Sequence, residues 1–162
     1  MNELVQKNSS ERPVPLAPHQ LDAGLWSTDI RIQFGDCDPA GIVYTPQFFH
    51  IFNVAVERWY EDALGLDYYA FIRDRRVGVG YVSAHADFFV PGKMGKTLSV
   101  AIKVERVGTS SFVLVLHAFQ EGREALRGRM TVVTTDLDRH RPIPIPQDLC
   151  DALLAYMERN GR

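Results

Sequence analysis

The sequence feature that most constrains the fold is one long segment, residues 46–63, that is apolar around most of a helical circumference. Pro46 suits the first helical position, where its missing N–H is not needed, and Thr45 before it is predicted to be the N-cap. Apolar residues recur at steps of three or four with others beside them, namely Phe48, Phe52, Ala55, Trp59 and Ala63, with Phe49, Val56 and Tyr60. Such a helix must be covered by other elements on most of its sides.

Strand patterns account for most of the remaining chain. Apolar and polar residues alternate once before the helix, within residues 26–34, and in four further segments after residue 77, where Val82, Ala84 and Ala86 begin the first. Glycine and proline mark the turns between these segments, which are too short for crossover helices. The sheet is therefore predicted to be antiparallel, with a short helix before it and another at the end of the chain.

These elements predict an α+β fold. A curved antiparallel sheet of five to six strands wrapped around a long central helix buries that helix on most sides, and this architecture is the hotdog fold. The sheet keeps open edges, whose unpaired backbone groups favour pairing with another strand. We therefore expect two copies to pair edge to edge as a homodimer, which assembles into a homotetramer.

Length and composition predict a single domain that follows an N-terminal extension. The chain has 162 residues, of which 46% are hydrophobic, enough for one core and too few for two. Residues 1–24 mix serines, prolines and charges without any period, which predicts a flexible extension. Residues 25–162 are predicted to form the single hotdog domain.

Charge and cysteine content argue against several classes of partner. Eighteen Lys and Arg against 20 Asp and Glu give a net charge of -2, so neither nucleic acid nor an anionic membrane is expected as a partner. No apolar stretch approaches the ~20 residues of a membrane span, and no secretory signal is visible, so a cytoplasmic location is expected. Cys37 has no Cys or His at ligand spacing, so no metal site is predicted.

The most informative segment is residues 34–45, FGDCDPAGIVYT, which leads directly into the aromatic-rich helix. It resembles the 4-hydroxybenzoyl-CoA thioesterase family, in which FGDCDPAGIV, two residues, a proline and such a helix form a specific signature. The resemblance extends more weakly over residues 30–136 and includes the pair Ser111-Phe112. It implies a hotdog enzyme that hydrolyses an acyl-CoA, with an aromatic acyl group of the 4-hydroxybenzoyl kind.

The same resemblance implies roles for three residues. Asp38 matches the catalytic carboxylate, which either attacks the thioester carbonyl or activates a water molecule. Thr45 occupies the position whose backbone N–H holds the thioester oxygen at the start of the helix. Gly41 matches the glycine that lets the loop approach the acyl group. Asp36 is interpreted as a structural residue that accepts backbone N–H groups and shapes the loop.

Physical chemistry is consistent with that assignment. Thioester hydrolysis needs a nucleophile or base and a site that stabilises negative charge on the carbonyl oxygen. A helix N-terminus offers uncommitted N–H donors and about half a positive charge, so no cofactor is required and coenzyme A enters only as part of the substrate. The sequence leaves open whether Asp38 is the nucleophile or the general base.

The substrate-binding residues are predicted less directly. Tyr44 and Tyr81 are expected in the wall of the acyl pocket, and His85 lies on a strand where a polar residue could face the substrate. Ser111 is a further candidate, because it lies in the pair that matches the family. The phosphates of coenzyme A call for basic side chains, for which the candidates are Arg106, which alone remains of the family's basic cluster, with Lys93, Lys96, Arg127 and Arg129.

Three alternatives to an aromatic thioesterase stay open. The acyl group could be short or branched and aliphatic, because an apolar pocket accepts either kind. A hotdog protein could also bind an acyl thioester without catalysis. A hotdog hydratase acting on enoyl thioesters would need a His that converges with Asp38 on the substrate, and no His can be placed there from the sequence.

Overall fold

The computed structural model of the protein describes residues 13–160, which form three α-helices and six β-strands. In chain order these are β1 Ser27–Arg31, α1 Thr45–Asp62, α2 Tyr68–Arg73, β2 Val77–Phe88, β3 Thr97–Val107, β4 Ser111–Gln120, β5 Arg123–Asp136, β6 Arg141–Pro142 and α3 Gln147–Arg159. The strands form one sheet in the order β1-β3-β4-β5-β2, with β6 beside β5. Every strand pair is antiparallel, which confirms the predicted α+β hotdog fold.

Helix α1 is buried along its length by the sheet. Its core side chains occur at the spacing that the sequence predicted, and they are Phe48, Ile51, Phe52, Ala55, Val56, Trp59 and Tyr60. The inner face of the sheet supplies the other half of the core, with Leu114, Leu116 and Leu126 fully buried. These buried residues share one face of α1, whereas His50 and Glu61 are exposed on the opposite face, so the apolar face is stable only under the curved sheet.

The start of α1 differs by one residue from the prediction. Tyr44 is the N-cap and Thr45 the first helical residue, so the expectation that Thr45 is the N-cap is wrong. A proline fits either of the first two helical positions, because neither N–H has a partner inside the helix. The Tyr44 N–H donates to the Asp36 carbonyl oxygen in the preceding loop, and this contact decides between the two positions.

The C-terminal helix α3 covers the far end of α1. Leu149, Leu153 and Tyr156 are its buried residues, and the Tyr156 ring packs edge-on against Trp59 at a centroid distance of 5.4 Å. The Tyr156 hydroxyl donates to the Ile102 carbonyl oxygen at 2.7 Å. Helix α3 therefore joins the long helix to strand β3.

Strand β2 is an edge strand with an irregularity that the sequence did not predict. Its pairing with β5 shifts between Tyr81 and Ser83, so one extra residue bulges out of the ladder. The alternation predicted through Val82 and Ala84 is interrupted here, because the bulge places Val82 outside the ladder and leaves it 65% exposed. The bulge also turns Tyr81 toward α1, where its hydroxyl contacts Asn53.

The N-terminal residues that the structure describes lie against the sheet. The Leu16 N–H donates to the buried Glu124 carboxylate at 2.6 Å, and Arg127 donates to the Val14 carbonyl oxygen at 3.0 Å. Residues 1–12 of the predicted flexible extension lie outside the described residues, and the domain boundary after residue 24 stays a prediction. Among residues 13–160, no helix has the length and apolar character to cross a bilayer.

The close packing of Phe52 against strand β5 gives a test of the core. A Cβ atom at Gly128 would lie 2.5 Å from Cε2 of Phe52, which is buried and cannot move aside. Gly128→Ala is therefore expected to lower the free energy of unfolding by about 1–3 kcal/mol in urea denaturation. Gly80→Ala is the matched control, because no atom lies within 4 Å of the new Cβ in β2. Equal stability of the two variants would contradict this packing.

Candidate active site

The loop between β1 and α1 folds back on itself around Asp38. The Asp38 N–H donates to the Ile42 carbonyl oxygen at 2.9 Å, and the Gly41 N–H donates to the Asp38 carbonyl oxygen at 2.9 Å. One carboxylate oxygen of Asp38 accepts from the Ala40 N–H at 2.8 Å. Gly41 has a φ of 74°, in the left-handed region where glycine carries no Cβ strain. This tight turn fixes the carboxylate between β1 and the start of the helix.

Asp36 holds the loop to the start of α1. Its carboxylate accepts from the Gln33 N–H at 2.8 Å, and its carbonyl oxygen accepts from the Tyr44 N–H at 2.9 Å. Both contacts are to backbone, as expected for the structural partner of Asp38. Partial burial, and then the charges of Asp36 and Asp38, raise the pKa of the Cys37 thiol, so Cys37 is a poor nucleophile at neutral pH.

The Thr45 N–H is uncommitted at the start of α1. Tyr44 donates its N–H to Asp36, Pro46 has none, and Gln47 donates to the Tyr44 carbonyl oxygen at 2.8 Å. Among the hydrogen bonds of residues 13–160, none uses the Thr45 N–H. A free donor at the positive end of an 18-residue helix suits an oxygen atom that gains negative charge.

An apolar cavity of about 330 Å³ opens beside this donor. Thr45 and Phe48 line it from the helix, Ile42 and Val43 from the loop, and residues 88–92 from the end of β2. The rings of Phe48 and Phe88 lie 5.5 Å apart between centroids. The cavity has the size and character of a small-molecule pocket that would accept a flat apolar group. The sequence analysis missed residues 88–92, although their run of apolar residues before Pro91-Gly92 was a visible signal.

The structure places three predicted substrate residues at different sites. Tyr44 is exposed at the N-cap. The Tyr81 hydroxyl donates to the Asn53 side-chain oxygen at 2.9 Å, two turns along α1, and burial raises the pKa of Tyr81. His85 pairs in register with Arg129 and lies 3.3 Å from the Asp87 carboxylate, on the sheet face away from the core. Within one chain, His85 therefore points away from the helix start.

Arg106 and Ser111 lie at the other end of the sheet from the cavity. Strand β4 begins at Ser111 and ends at Gln120, whose side chain contacts residues 91 and 93, beside the loop between β1 and α1. Nine steps of ~3.3 Å make this distance roughly 30 Å. Within one chain these two residues therefore do not reach Asp38, and their predicted role requires a second copy.

Most of the basic candidates for phosphate binding are already paired. Arg127 contacts Glu124 at 2.6 Å, Arg129 contacts Glu105 at 2.9 Å, and Lys96 contacts Glu121 at 2.6 Å. Lys93 and Arg106 take part in no ion pair within residues 13–160. Lys93 forms a β-bridge with Ile42 and follows Gly92, both of which line the cavity, so a cation without an ion pair in the described chain lies beside the cavity. The same residues contain no group of three or more His, Cys, Asp or Glu that could hold a metal ion.

The chain is similar to known proteins over most of its length. The sequence profile of the thioesterase-like superfamily matches residues 32–153, which include the loop between β1 and α1, helix α1 itself and most of the sheet. A 1,4-dihydroxy-2-naphthoyl-CoA hydrolase from Thermosynechococcus vestitus is 30% identical over 141 residues, which cover 85% of this chain and 88% of that protein.

Solved structures share the fold. A protein from Pseudomonas aeruginosa strain PAO1 superimposes with a TM-score of 0.76 at 30% identity, covering 89% of this chain and 97% of that one. The gentisyl-coenzyme A thioesterase BH1999 superimposes with a TM-score of 0.71 at 25% identity, covering 76% of this chain and 98% of that one. The similarity therefore extends to the element that carries the uncommitted donor.

The contacts of Asp36 predict a stability effect. Asp36→Ala removes the acceptor from the Gln33 N–H, which lies in a short capped turn, and is expected to lower the free energy of unfolding by about 1 kcal/mol. Asp36→Asn keeps a side-chain oxygen in the same place and is expected to lose less. Chemical denaturation of both variants measures the difference, and equal losses would show that this hydrogen bond does not shape the loop.

Proposed function

The chain belongs to the thioesterase-like superfamily, and from this membership we propose that it hydrolyses the thioester of an aromatic acyl-CoA. Asp38 and the Thr45 N–H are the two catalytic groups in this proposal. The observation that carries it is the uncommitted Thr45 N–H, at the mouth of an apolar cavity and at the end of the loop that holds Asp38. The membership confirms the resemblance read from residues 34–45 and the prediction that the chain is a thioester hydrolase.

The names of the relatives support an aromatic acyl group. One relative is a hydrolase of 1,4-dihydroxy-2-naphthoyl-CoA and another a thioesterase of gentisyl-CoA, and both acyl groups are hydroxylated aromatic rings. Three phenylalanines, Phe48, Phe88 and Phe89, line the cavity beside Thr45, and aromatic side chains pack well on a flat ring. We therefore propose the wider class of hydroxylated aromatic acyl-CoA, of which the 4-hydroxybenzoyl ester is one member.

The reaction needs only the groups already described and water. Asp38 can attack the carbonyl carbon, in which case the C–S electron pair leaves with the sulfur and water hydrolyses the resulting anhydride. Alternatively, Asp38 accepts a proton from water, and the hydroxide attacks the same carbon. In both cases the Thr45 N–H donates to the carbonyl oxygen as its negative charge develops. One water is consumed, and an aromatic acid and the coenzyme A thiol are released.

A second copy would complete the substrate-binding site. The Phe88 end of β2 lies beside the cavity, whereas its Val77 end lies near the Ser111 end of β4. Antiparallel pairing of two β2 edges about a two-fold axis sets each Phe88 end against the other chain's Val77 end. Arg106 and Ser111 of the second copy would then approach this chain's catalytic loop. We propose this homodimer as the active form, and its assembly into a homotetramer stays a prediction.

The position of the histidines does not favour the hydratase alternative. A hydratase of this fold would need a His beside Asp38, whereas His85 lies on the outer face of the sheet. His50 is exposed on α1, more than a turn beyond Thr45. The alternative of a non-catalytic binder and the alternative of an aliphatic substrate are outcomes of the first experiment below.

Removing the Asp38 carboxylate is expected to abolish turnover without loss of the fold. Asp38→Asn keeps an oxygen that can accept from the Ala40 N–H, but it can neither attack nor accept a proton. Thiol release from hydroxybenzoyl-, gentisyl-, dihydroxynaphthoyl- and short aliphatic acyl-CoA is expected to fall at least about 100-fold. Wild type and variant are compared at matched circular dichroism and oligomeric state.

The panel also separates the alternatives. Fastest turnover on an aliphatic ester would contradict the aromatic assignment, and thioester binding without thiol release in the wild type would indicate a non-catalytic binder. Loss of enoyl absorbance without thiol release would indicate a hydratase. Full activity of Asp38→Asn would remove Asp38 from the mechanism.

The proposed oxyanion donor can be removed by a single substitution. Thr45→Pro deletes the N–H at the first helical position, where proline is well tolerated, and Tyr44 before it is already extended with a ψ of 126°. The value of kcat is expected to fall by about 100- to 1,000-fold. Thr45→Ala keeps the N–H and removes only the hydroxyl, so its kcat should stay near that of the wild type. Equal losses in both variants would assign the role to the side chain instead.

A further inference from the structure

Gln120 is a buried polar side chain at the end of β4 whose contacts lie on a different element. Only 2% of its surface is exposed. Its side-chain oxygen accepts from the Lys93 N–H at 2.8 Å, and its side-chain nitrogen donates to the Pro91 carbonyl oxygen at 3.4 Å. Gln120 therefore attaches the end of the sheet to the turn at residues 91–94, which is far from it in sequence.

The turn at residues 91–94 also holds the loop between β1 and α1, which is called the catalytic loop below. The Gly92 carbonyl oxygen accepts from the Val43 N–H at 2.8 Å, and the Met94 N–H donates to the Gly41 carbonyl oxygen at 3.1 Å. Gly41 and Val43 flank Ile42, whose carbonyl oxygen accepts from the Asp38 N–H at 2.9 Å. A continuous set of hydrogen bonds thus runs from Gln120 through the turn to the loop that carries Asp38 and leads into Thr45.

We propose that Gln120 is a positioning residue for the thioesterase reaction. By fixing the 91–94 turn against the loop, it sets the separation of the Asp38 carboxylate and the Thr45 N–H. The inference rests on the proposed function, because the separation matters only where both groups act on one carbonyl. Reacting groups must be held closely, since a displacement of about 1 Å can lower a rate by about 100-fold.

The other contacts that hold this segment to β4 and β5 lie on either side of the turn. The Phe89 and Val90 N–H groups donate to the Ala125 carbonyl oxygen at 2.8 and 3.1 Å, and Lys96 contacts Glu121 at 2.6 Å with both side chains about half exposed. Exposed ion pairs of this kind contribute little, because water screens them and two long side chains must be ordered. The buried amide of Gln120 is the contact that bonds directly to residues 91 and 93, which adjoin the catalytic loop.

The test compares Gln120→Met with Tyr156→Phe. Methionine keeps the length of the side chain and removes both hydrogen bonds. Tyr156 is a buried residue of α3 at the far end of α1, and its hydroxyl donates to the Ile102 carbonyl oxygen at 2.7 Å and accepts from the Trp26 N–H at 3.0 Å. Both variants lose buried hydrogen bonds and some stability, but only Gln120→Met acts on the 91–94 turn.

For Gln120→Met we expect kcat per folded enzyme to fall at least about tenfold. The fall in kcat should be larger than the rise in KM, because the substitution displaces the two catalytic groups and removes no surface that binds the substrate. For Tyr156→Phe, kcat and KM should stay within about twofold of the wild type. A kcat of Gln120→Met within twofold of the wild type, or an equal loss in Tyr156→Phe, would overturn the inference.

Hydrogen–deuterium exchange gives a readout that does not depend on activity. Amides of residues 36–45 should exchange faster in Gln120→Met than in the wild type, and at the wild-type rate in Tyr156→Phe. If the wild type releases no thiol from the ester panel, the proposed function fails, while the exchange still shows whether Gln120 controls the loop. Unchanged exchange in Gln120→Met would overturn the positioning role even in an active enzyme.

Discussion

Burial of one face of helix α1 under the sheet is the constraint on which the rest of the structure depends. The apolar residues of that face are stable only where a sheet curves over them, whereas His50 and Glu61 are exposed on the opposite face. Gly128 shows how close the two layers are, because any side chain there would meet Phe52. The loop from β1 leads into the start of this helix. The uncommitted Thr45 N–H therefore lies where that loop arrives, beside the apolar cavity.

The chemistry of the helix start follows from how the backbone N–H groups of residues 44–47 are used. Asp36 takes the Tyr44 N–H, Pro46 has none, and Gln47 bonds within the first turn, so Thr45 keeps the uncommitted donor. The two acids of the loop divide their work in the same way. Asp36 accepts from backbone and shapes the loop, whereas the Asp38 carboxylate accepts one hydrogen bond within residues 13–160, from the Ala40 N–H. A proline and two acids thus leave one backbone N–H at the helix start and one carboxylate oxygen without a hydrogen-bond partner in the described residues.

The antiparallel topology separates the two halves of the predicted site. Arg106 and Ser111 lie near the β3–β4 turn, and the catalytic loop lies at the opposite end of the same strands. No rearrangement of one chain joins them, because the strands between them are the core of the fold. The open edge of β2, with Tyr81 and Val82 exposed, is the surface through which a second copy would join them.

The sequence by itself determined the features that depend on neighbouring residues. Helical spacing predicted α1, alternation predicted most of the strand positions, and the GDCDPAG segment predicted the loop at Asp38 and the structural role of Asp36. Only the tertiary structure decided which distant residues meet. The bulge at Val82 turned Tyr81 toward Asn53, and residues 88–92 became a wall of the cavity. Gln120 meets Lys93 across 27 positions of sequence. These contacts arise from strand register and the curvature of the sheet, which no local pattern specifies, because both are set by packing around the whole helix.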